Sequence, residues 1–404
     1  MNNITIIGAG FSAGLISQGL IDLGYNVCVL AKVDIDSGYS YSDLYESTSV
    51  ERTHKIGGNT LKWHAGLIYP DMRWMSRNGL SLDEFSKLLF EGSRICSIVF
   101  NNPNFINLPS ARPINSRIYY IKGPRVSIFH RSINIINFKE ISRIDLKSKT
   151  ITFDDGRCVD YENLIVATDA IGAAEIYSRF LNKCHSFNIL DHPLVYLGEI
   201  ETTKRVFANL NRSDNLSDRR SHTAKRGLVL TAMGVRHMVY LRPKGCSLLH
   251  STMESNLPRW RKYLRILTNL DVFRAAIYLK WGLEFPSRRF EAFLVMQMPV
   301  YAKLDTSKRT IRYGDKIFYD ELCSLIASKL SLFKFIKNFA IYSNFIYFPG
   351  NHFTSTLTDV DVKKYESKYS IYFVGSSVID GNSYTNSGVQ IMVATANFLS
   401  RFVR

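Results

Sequence analysis

The residues best suited to chemistry stand near the two ends of the chain. Gly8-Ala9-Gly10-Phe11-Ser12-Ala13 forms a G-x-G-x-x-A run. Ile4 to Ile7 before it is a short apolar run with the composition of a buried parallel strand, and Leu15, Ile16, Leu20 and Leu23 after it keep helical spacing. Gly24 is placed to close that helix, and Val27 to Leu30 reads as a second strand. Strand, tight glycine turn, helix and strand within about thirty residues is the setting in which such a run binds a dinucleotide. Gly8 allows the turn, Gly10 lets the backbone approach a pyrophosphate, and the small Ala13 lets helix and strand pack closely. The N–H groups at the helix start, from Phe11 and Ser12 onward, face the phosphates. Gly10-Phe11-Ser12-Ala13-Gly14 also fits G-x-S-x-G, the nucleophile elbow of α/β-hydrolases. That elbow tops a sheet already built, and only nine residues precede Gly10, so Ser12 is read as a helix-start residue beside phosphate. Where the second strand ordinarily offers a carboxylate to the ribose, this chain has Ala31 and then Lys32, with Asp34 and Asp36 beyond. Lys32 suits a phosphorylated ribose, as in NADP.

A second glycine cluster, Gly57-Gly58-Asn59-Thr60, precedes Leu61-Lys62-Trp63. Paired glycines before small polar residues suit backbone laid against a cofactor, with Asn59 and Thr60 as hydrogen-bond donors; an ordinary turn before a helix is the alternative. Strands are expected at 133–136 and 141–144, then a hairpin through Asp154-Asp155-Gly156. Leu164 to Ala170, which includes Ala167 and Thr168, is a buried strand ending in small residues, with a helix from near Ala173. Near the C-terminus, His352-Phe353-Thr354-Ser355-Thr356 precedes a strand at 371–375 that ends in Gly375-Ser376-Ser377. A polar loop with Asn386, Ser387 and Gly388 follows, then an apolar helix from Val389 to about Phe402.

Together these segments resemble the glucose–methanol–choline (GMC) family of FAD oxidoreductases. The likeness lies in Gly8 to Ala13, in Gly57 to Trp63, in Val166-Ala167-Thr168 with Ile171-Gly172, in His352 to Thr356, similar to the family's H-x-x-G-T, and in Val374 to Ala396. It departs at Ser355 for glycine, at Asp169 for the last glycine of the A-T-G return, and in the missing proline after Val378. The resemblance implies FAD bound by the segments named above, including Gly375, Ser376, Gly388 and Val389. It implies His352 as the base that takes the alcohol proton while hydride passes to the flavin, a task for which an imidazole titrates in a useful range. The second group, which orients the substrate oxygen, is Asn386 by residue type and Ser387 by spacing. Lys62 stands where a covalently linking branch has histidine, which implies non-covalent FAD. The substrate class implied is an alcohol or sugar.

Composition fits this picture. The chain has 404 residues, 46% hydrophobic and 21% charged, with 51 Lys+Arg against 35 Asp+Glu, a net charge of +16. The length allows about two or three domains. The expected fold class is α/β: a Rossmann-like nucleotide domain formed by residues 1–75, 120–196 and 346–404. Residues 76–119 and 197–345 are expected to make an inserted substrate or cap part with an antiparallel sheet, whose strands are expected at 227–233, 237–241, 293–300 and 310–313. The six cysteines stand singly, without C-x-x-C, and the nine histidines form no H-E-x-x-H. No metal site is expected, and a reducing cytoplasm suits the thiols. The start of the chain has no basic leader, and no apolar run reaches about 18 residues. The basic balance suits an anionic substrate such as a nucleotide-sugar or a lipid-linked glycan. No nucleic-acid recognition motif accompanies it, so no nucleic-acid partner is expected. Residues 259–281 read as basic and aromatic helix, either a peripheral membrane-surface element or a solvated face over an ordinary packed helix.

Overall fold

The computed structural model describes residues 3–32, 40–42, 66–68, 70, 72–106, 118–120, 133–202, 227–246, 248–249, 252, 258–281, 289–296, 298, 300–334, 336–348, 353–354, 357, 359–379 and 387–402. Its elements run β1 (Asn3–Ile7), α1 (Phe11–Asp22), β2 (Asn26–Lys32), β3 (Ser40–Ser42), β4 (Gly66–Ile68), α2 (Met72–Arg77), α3 (Leu82–Val99), β5 (Ile118–Tyr120), β6 (Asn134–Phe138), β7 (Ile141–Asp145), β8 (Thr150–Phe153), β9 (Cys158–Asp160), β10 (Asn163–Val166) and α4 (Ala170–Ile176). They continue with β11 (Ser186–Asp191), β12 (Leu194–Thr202), β13 (Gly227–Ala232), β14 (Val235–Pro243), α5 (Arg259–Thr268), α6 (Leu270–Trp281), β15 (Arg289–Val295), β16 (Val300–Asp305), β17 (Thr310–Tyr313), α7 (Lys316–Ser331), β18 (Ile336–Phe348), α8 (Asp359–Tyr369), β19 (Ile371–Phe373) and α9 (Ser387–Phe402). The chain divides into unit 1, Met1–His192 with Pro299–Gly314 and Gly350–Arg404, and unit 2, Pro193–Met298 with Asp315–Pro349.

Unit 1 is built on a five-stranded sheet in the order β19-β10-β1-β2-β6, every pair parallel. Central parallel strands must be apolar on both faces, and Ile4, Ile6, Ile7, Leu164, Ile165 and Val166 are all buried. Helix α1 has almost no polar face: Ser12 to Leu20 are buried throughout. Its neighbours explain this, for α1 packs against β2, α3 and α9. A Cβ on Gly92 of α3 would meet the Met392 carbonyl oxygen of α9 at 2.6 Å, so the two helices approach backbone to backbone at that turn. Helix α3 opens with a capping box between Ser81 and Glu84. Residues 76–119, expected in the cap, therefore fall in unit 1, where the apolar face of α3 (Phe85, Leu89, Cys96) is buried. The hairpin sheet β7-β8-β9 forms as expected around the turn at Gly156.

Unit 2 holds an antiparallel sheet in the order β13-β14-β15-β12-β18. The single strand expected over 293–300 is two: β15 ends at Val295 in this sheet, and β16 begins at Val300 in the four-stranded sheet β11-β16-β17-β3 of unit 1. Residues 300–313 thus leave the expected cap, because β16 pairs along all of β11. Helix α7 is tied to β18 where the Tyr347 hydroxyl donates to Asp320 at 2.7 Å, which in turn pairs with Lys316.

One buried group in unit 2 titrates in an accessible range. His237 of β14 is fully buried, and burial pushes its imidazole down to about 4 from the ordinary 6.5, against an opposing hydrogen bond with the Ala232 backbone. The folded form is then the weaker proton binder, so stability is complete above 6.5 and falls as pH drops toward 4. Urea unfolding of the full chain should lose about 2 kcal/mol between pH 7 and 5 from this group alone. His237→Gln, which does not protonate, should flatten the profile; an equally steep profile in that variant would refute the assignment.

Candidate functional site

The opening glycine turn sits at the carboxyl end of β1, between its two parallel neighbours. The Gly8 N–H donates to the Leu30 carbonyl at 2.9 Å, and the Ala167 N–H donates to the Ile7 carbonyl at 2.9 Å. Gly8 has φ +121°, and a Cβ there would lie 2.6 Å from the Ala167 carbonyl oxygen and 2.9 Å from the Thr168 nitrogen. Glycine is required both by the backbone angle and by the close approach of the β10 end. Gly10 differs. It is the N-cap of α1 in extended conformation, with no side-chain cap bond and no acidic residue in the first turn. A Cβ on Gly10 would meet nothing within 4 Å. Among the described residues the helix start therefore adjoins open space, and with no acid in its own first turn the positive end of the macrodipole is suited to phosphate.

The C-terminal segment meets this turn. Val374 donates to the Val166 carbonyl at 3.1 Å, extending the β10–β19 ladder to a short helical turn at Gly375–Ser377. Gly375 has φ +80°, and a Cβ there would collide with the Ser12 hydroxyl. Ser12 is buried, with its side chain packed against Gly375. The contact joins the first turn of α1 to the strand end 363 residues later, a proximity the sequence did not reveal. Ser376 is half-buried beside it, and Gly388 and Val389 are buried in the first turn of α9. Helix α9 starts at Ser387, ahead of the expected Val389.

Asp169, a departure in the motif, has a structural role. It is the N-cap of α4, its carboxylate accepting from the Gly172 N–H at 2.7 Å. That is why α4 begins at Ala170 and not near Ala173. Ala167 is buried, and the Thr168 hydroxyl donates to the Asp169 carbonyl at 3.2 Å. Lys32 ends β2 half-buried, in register with Phe138 of β6. Asp34 and Asp36, the cluster Gly57, Gly58, Asn59 and Thr60 with Lys62, and both His352 and Asn386 lie outside the described residues, as does the Ser387 side chain.

Two residues beyond His352 the chain is anchored. Thr354 and Leu190 exchange both backbone hydrogen bonds, at 3.1 and 3.0 Å, and Leu357 donates to the Ser377 carbonyl at 3.1 Å. The chain just beyond His352 is thus fixed at two points, Thr354 to the end of β11 and Leu357 to the turn that carries Gly375. Thr354 is buried, and its hydroxyl has no partner among the described residues. Next to Leu190, Asp191 is fully buried: it accepts from the His192 N–H at 2.9 Å and from the Tyr313 hydroxyl at 3.4 Å. Sequence reasoning missed this polar group. The available signal was a buried-strand pattern, Phe187 to Leu190, ending abruptly in Asp191-His192-Pro193.

The parallel sheet, the glycine turn at its centre and the antiparallel insertion define a Rossmann-like fold of the FAD/NAD(P)-binding type. Known structures share it. The chain is similar to a fungal aryl-alcohol oxidase at 9% identity, over 99% of each chain, with a TM-score of 0.54. It is also similar to the halogenase PltM, at 10% identity over 99% of this chain and 68% of that one, TM-score 0.36, and to reduced UDP-galactopyranose mutase, at 12% identity over 100% and 94%, TM-score 0.37. At such identities the likeness is one of fold, and of these three the oxidase superposes well enough to bear on it. Searched against protein-family models and curated protein sequences, the chain matches none.

Proposed function

We propose that the chain is an FAD-dependent oxidoreductase acting on the CH–OH group of an alcohol or sugar. The observation that carries the cofactor is Gly10: a helix start that opens onto free space, with no acid in its first turn, above a sheet of the dinucleotide-binding kind. The similarity of fold to an aryl-alcohol oxidase along nearly the whole of both chains supports the reading. Bound without a covalent link, FAD would supply the acceptor for a hydride. The backbone of Gly8, Gly10 and Phe11 would hold its pyrophosphate, with Lys32 near the ribose and Gly57 to Thr60 along its length. The start of α9, at Gly388 and Val389, would set a positive helix end toward negative charge that develops on reduction.

His352 is the base in this proposal, holding the proton of the substrate hydroxyl, and Asn386, with Ser387 beside it, orients the oxygen. The excess of basic residues favours an anionic substrate. The test is an absorption spectrum followed by anaerobic titration. Purified protein should show flavin bands and bleach with one member of an alcohol and sugar panel. A colourless protein that takes up no added FAD would sink the cofactor. Bleaching by NADPH with no alcohol present would point to the rival reading, a reductase addressed through Lys32.

A further inference from the structure

Helix α5, residues Arg259–Thr268, carries apolar side chains on two different faces. One face is accounted for: Ile266 packs with Cys246, Leu249, Val272 and Ala275 in a small core of unit 2. The other is not. Trp260, Tyr263, Leu264 and Leu267 follow the spacing i, i+3, i+4, i+7, which puts them in one stripe, and each is between 52% and 66% exposed. At about 100° per residue the stripe lies well away from Ile266. Leu270, which opens α6 after the extended Asn269, is 60% exposed as well.

Charge borders the stripe on both sides. Arg261 and Arg265, four residues apart, line one margin, and Arg259 lies toward the other; all three are exposed. No acidic residue occurs in α5. An aqueous surface gains nothing from four large apolar groups side by side, so the stripe needs a cover. A second copy of the same face would set these arginines against their own kind. A nucleic acid would meet the arginines but leave the leucines without contact. A bilayer of anionic lipid satisfies both, since tryptophan, tyrosine and leucine enter the headgroup boundary while arginine reaches phosphate. We infer that α5 is a membrane-surface helix by which unit 2 docks on anionic phospholipid, with Trp260, Tyr263, Leu264 and Leu267 inserted.

Flotation of the full chain with vesicles tests this. Binding should be strong to phosphatidylcholine mixed with phosphatidylglycerol and weak to phosphatidylcholine alone. Leu264→Ser with Leu267→Ser should cut binding to the mixed vesicles by about tenfold or more. Arg261→Gln with Arg265→Gln should cut it by about 25-fold while leaving binding to neutral vesicles unchanged. All four side chains are exposed, so the unfolding midpoint of either variant should match the wild type; were the leucine variant to misfold, the arginine variant still decides the matter. Equal binding to both vesicle types would overturn the inference. So would a dimer in solution that the leucine variant abolishes.

Discussion

Gly8→Ala should cripple folding, whereas Gly10→Ala, two residues on, should fold normally and lose the cofactor. The contrast comes from what each added methyl meets. At position 8 it would sit 2.6 Å from the Ala167 carbonyl oxygen and 2.8 Å from its carbon, both backbone atoms at the end of β10, at φ +121°. Neither side can yield without breaking the bond from Ala167 to Ile7 or that from Gly8 to Leu30, which fix the two neighbours of β1. Left-handed strain and overpacking against backbone together cost about 3 kcal/mol or more, a large part of the stability of an ordinary domain. At position 10 the methyl meets no atom of the described residues within 4 Å, and the backbone, at φ −97°, accepts alanine without strain. Its stability should stay within about 0.5 kcal/mol of the parent. If a pyrophosphate lies against that helix start, though, the methyl occupies the approach path, and FAD content should drop to near zero. Unfolding curves and flavin content of the two purified variants separate the effects. A Gly10→Ala protein that keeps its full flavin would remove the main support for the cofactor proposal.

Much of this arrangement was legible in local sequence because local rules determine it. The β1–α1–β2 unit depends on short-range facts: an apolar run, two glycines at fixed spacing, a helical period and a second apolar run. The hairpin around Gly156 is equally local. What the sequence concealed is long-range or rests on side-chain partners. Helix α3 lies in the stretch expected in the cap, and only its burial against α1 and α9 assigns it to unit 1. The run 293–300 reads as one strand, because the switch from one sheet to another depends on which partners are within reach, β12 and β14 for its first half and β11 for its second. Asp169 looked like a defect in a motif until its capping bond to Gly172 was visible. The packing of Ser12 on Gly375 pairs residues that no periodicity connects, and it ties the N-terminal turn to the C-terminal segment. The glycine turn was therefore readable in local sequence, while the burial of Asp191 next to the Leu190–Thr354 bridge became visible only through tertiary pairing.

His352→Ala should leave flavin bound and abolish its reduction by substrate. The residue lies outside the described residues; the chain two and five residues beyond it is fixed, Thr354 to Leu190 by two backbone bonds and Leu357 to Ser377 in the turn that carries Gly375. General base catalysis needs a base held in a restricted region. No part of the proposed phosphate cradle is altered by the substitution, so cofactor content and the flavin spectrum should match the wild type. The rate of anaerobic flavin reduction should fall by about 10²–10⁴, the usual contribution of a positioned base. Only the neutral imidazole takes a proton, so the wild-type rate should fall on the acid side. In His352→Ala that limb should vanish, leaving a slow rate that added imidazole partly restores. A merely structural histidine would behave otherwise: its loss would lower the unfolding midpoint and the flavin content together, and leave the shape of the pH profile unchanged. Wild-type turnover by the variant would move the base elsewhere, and the buried imidazole of His192, next to Asp191 and one bridge away from Thr354, would be the first group to replace.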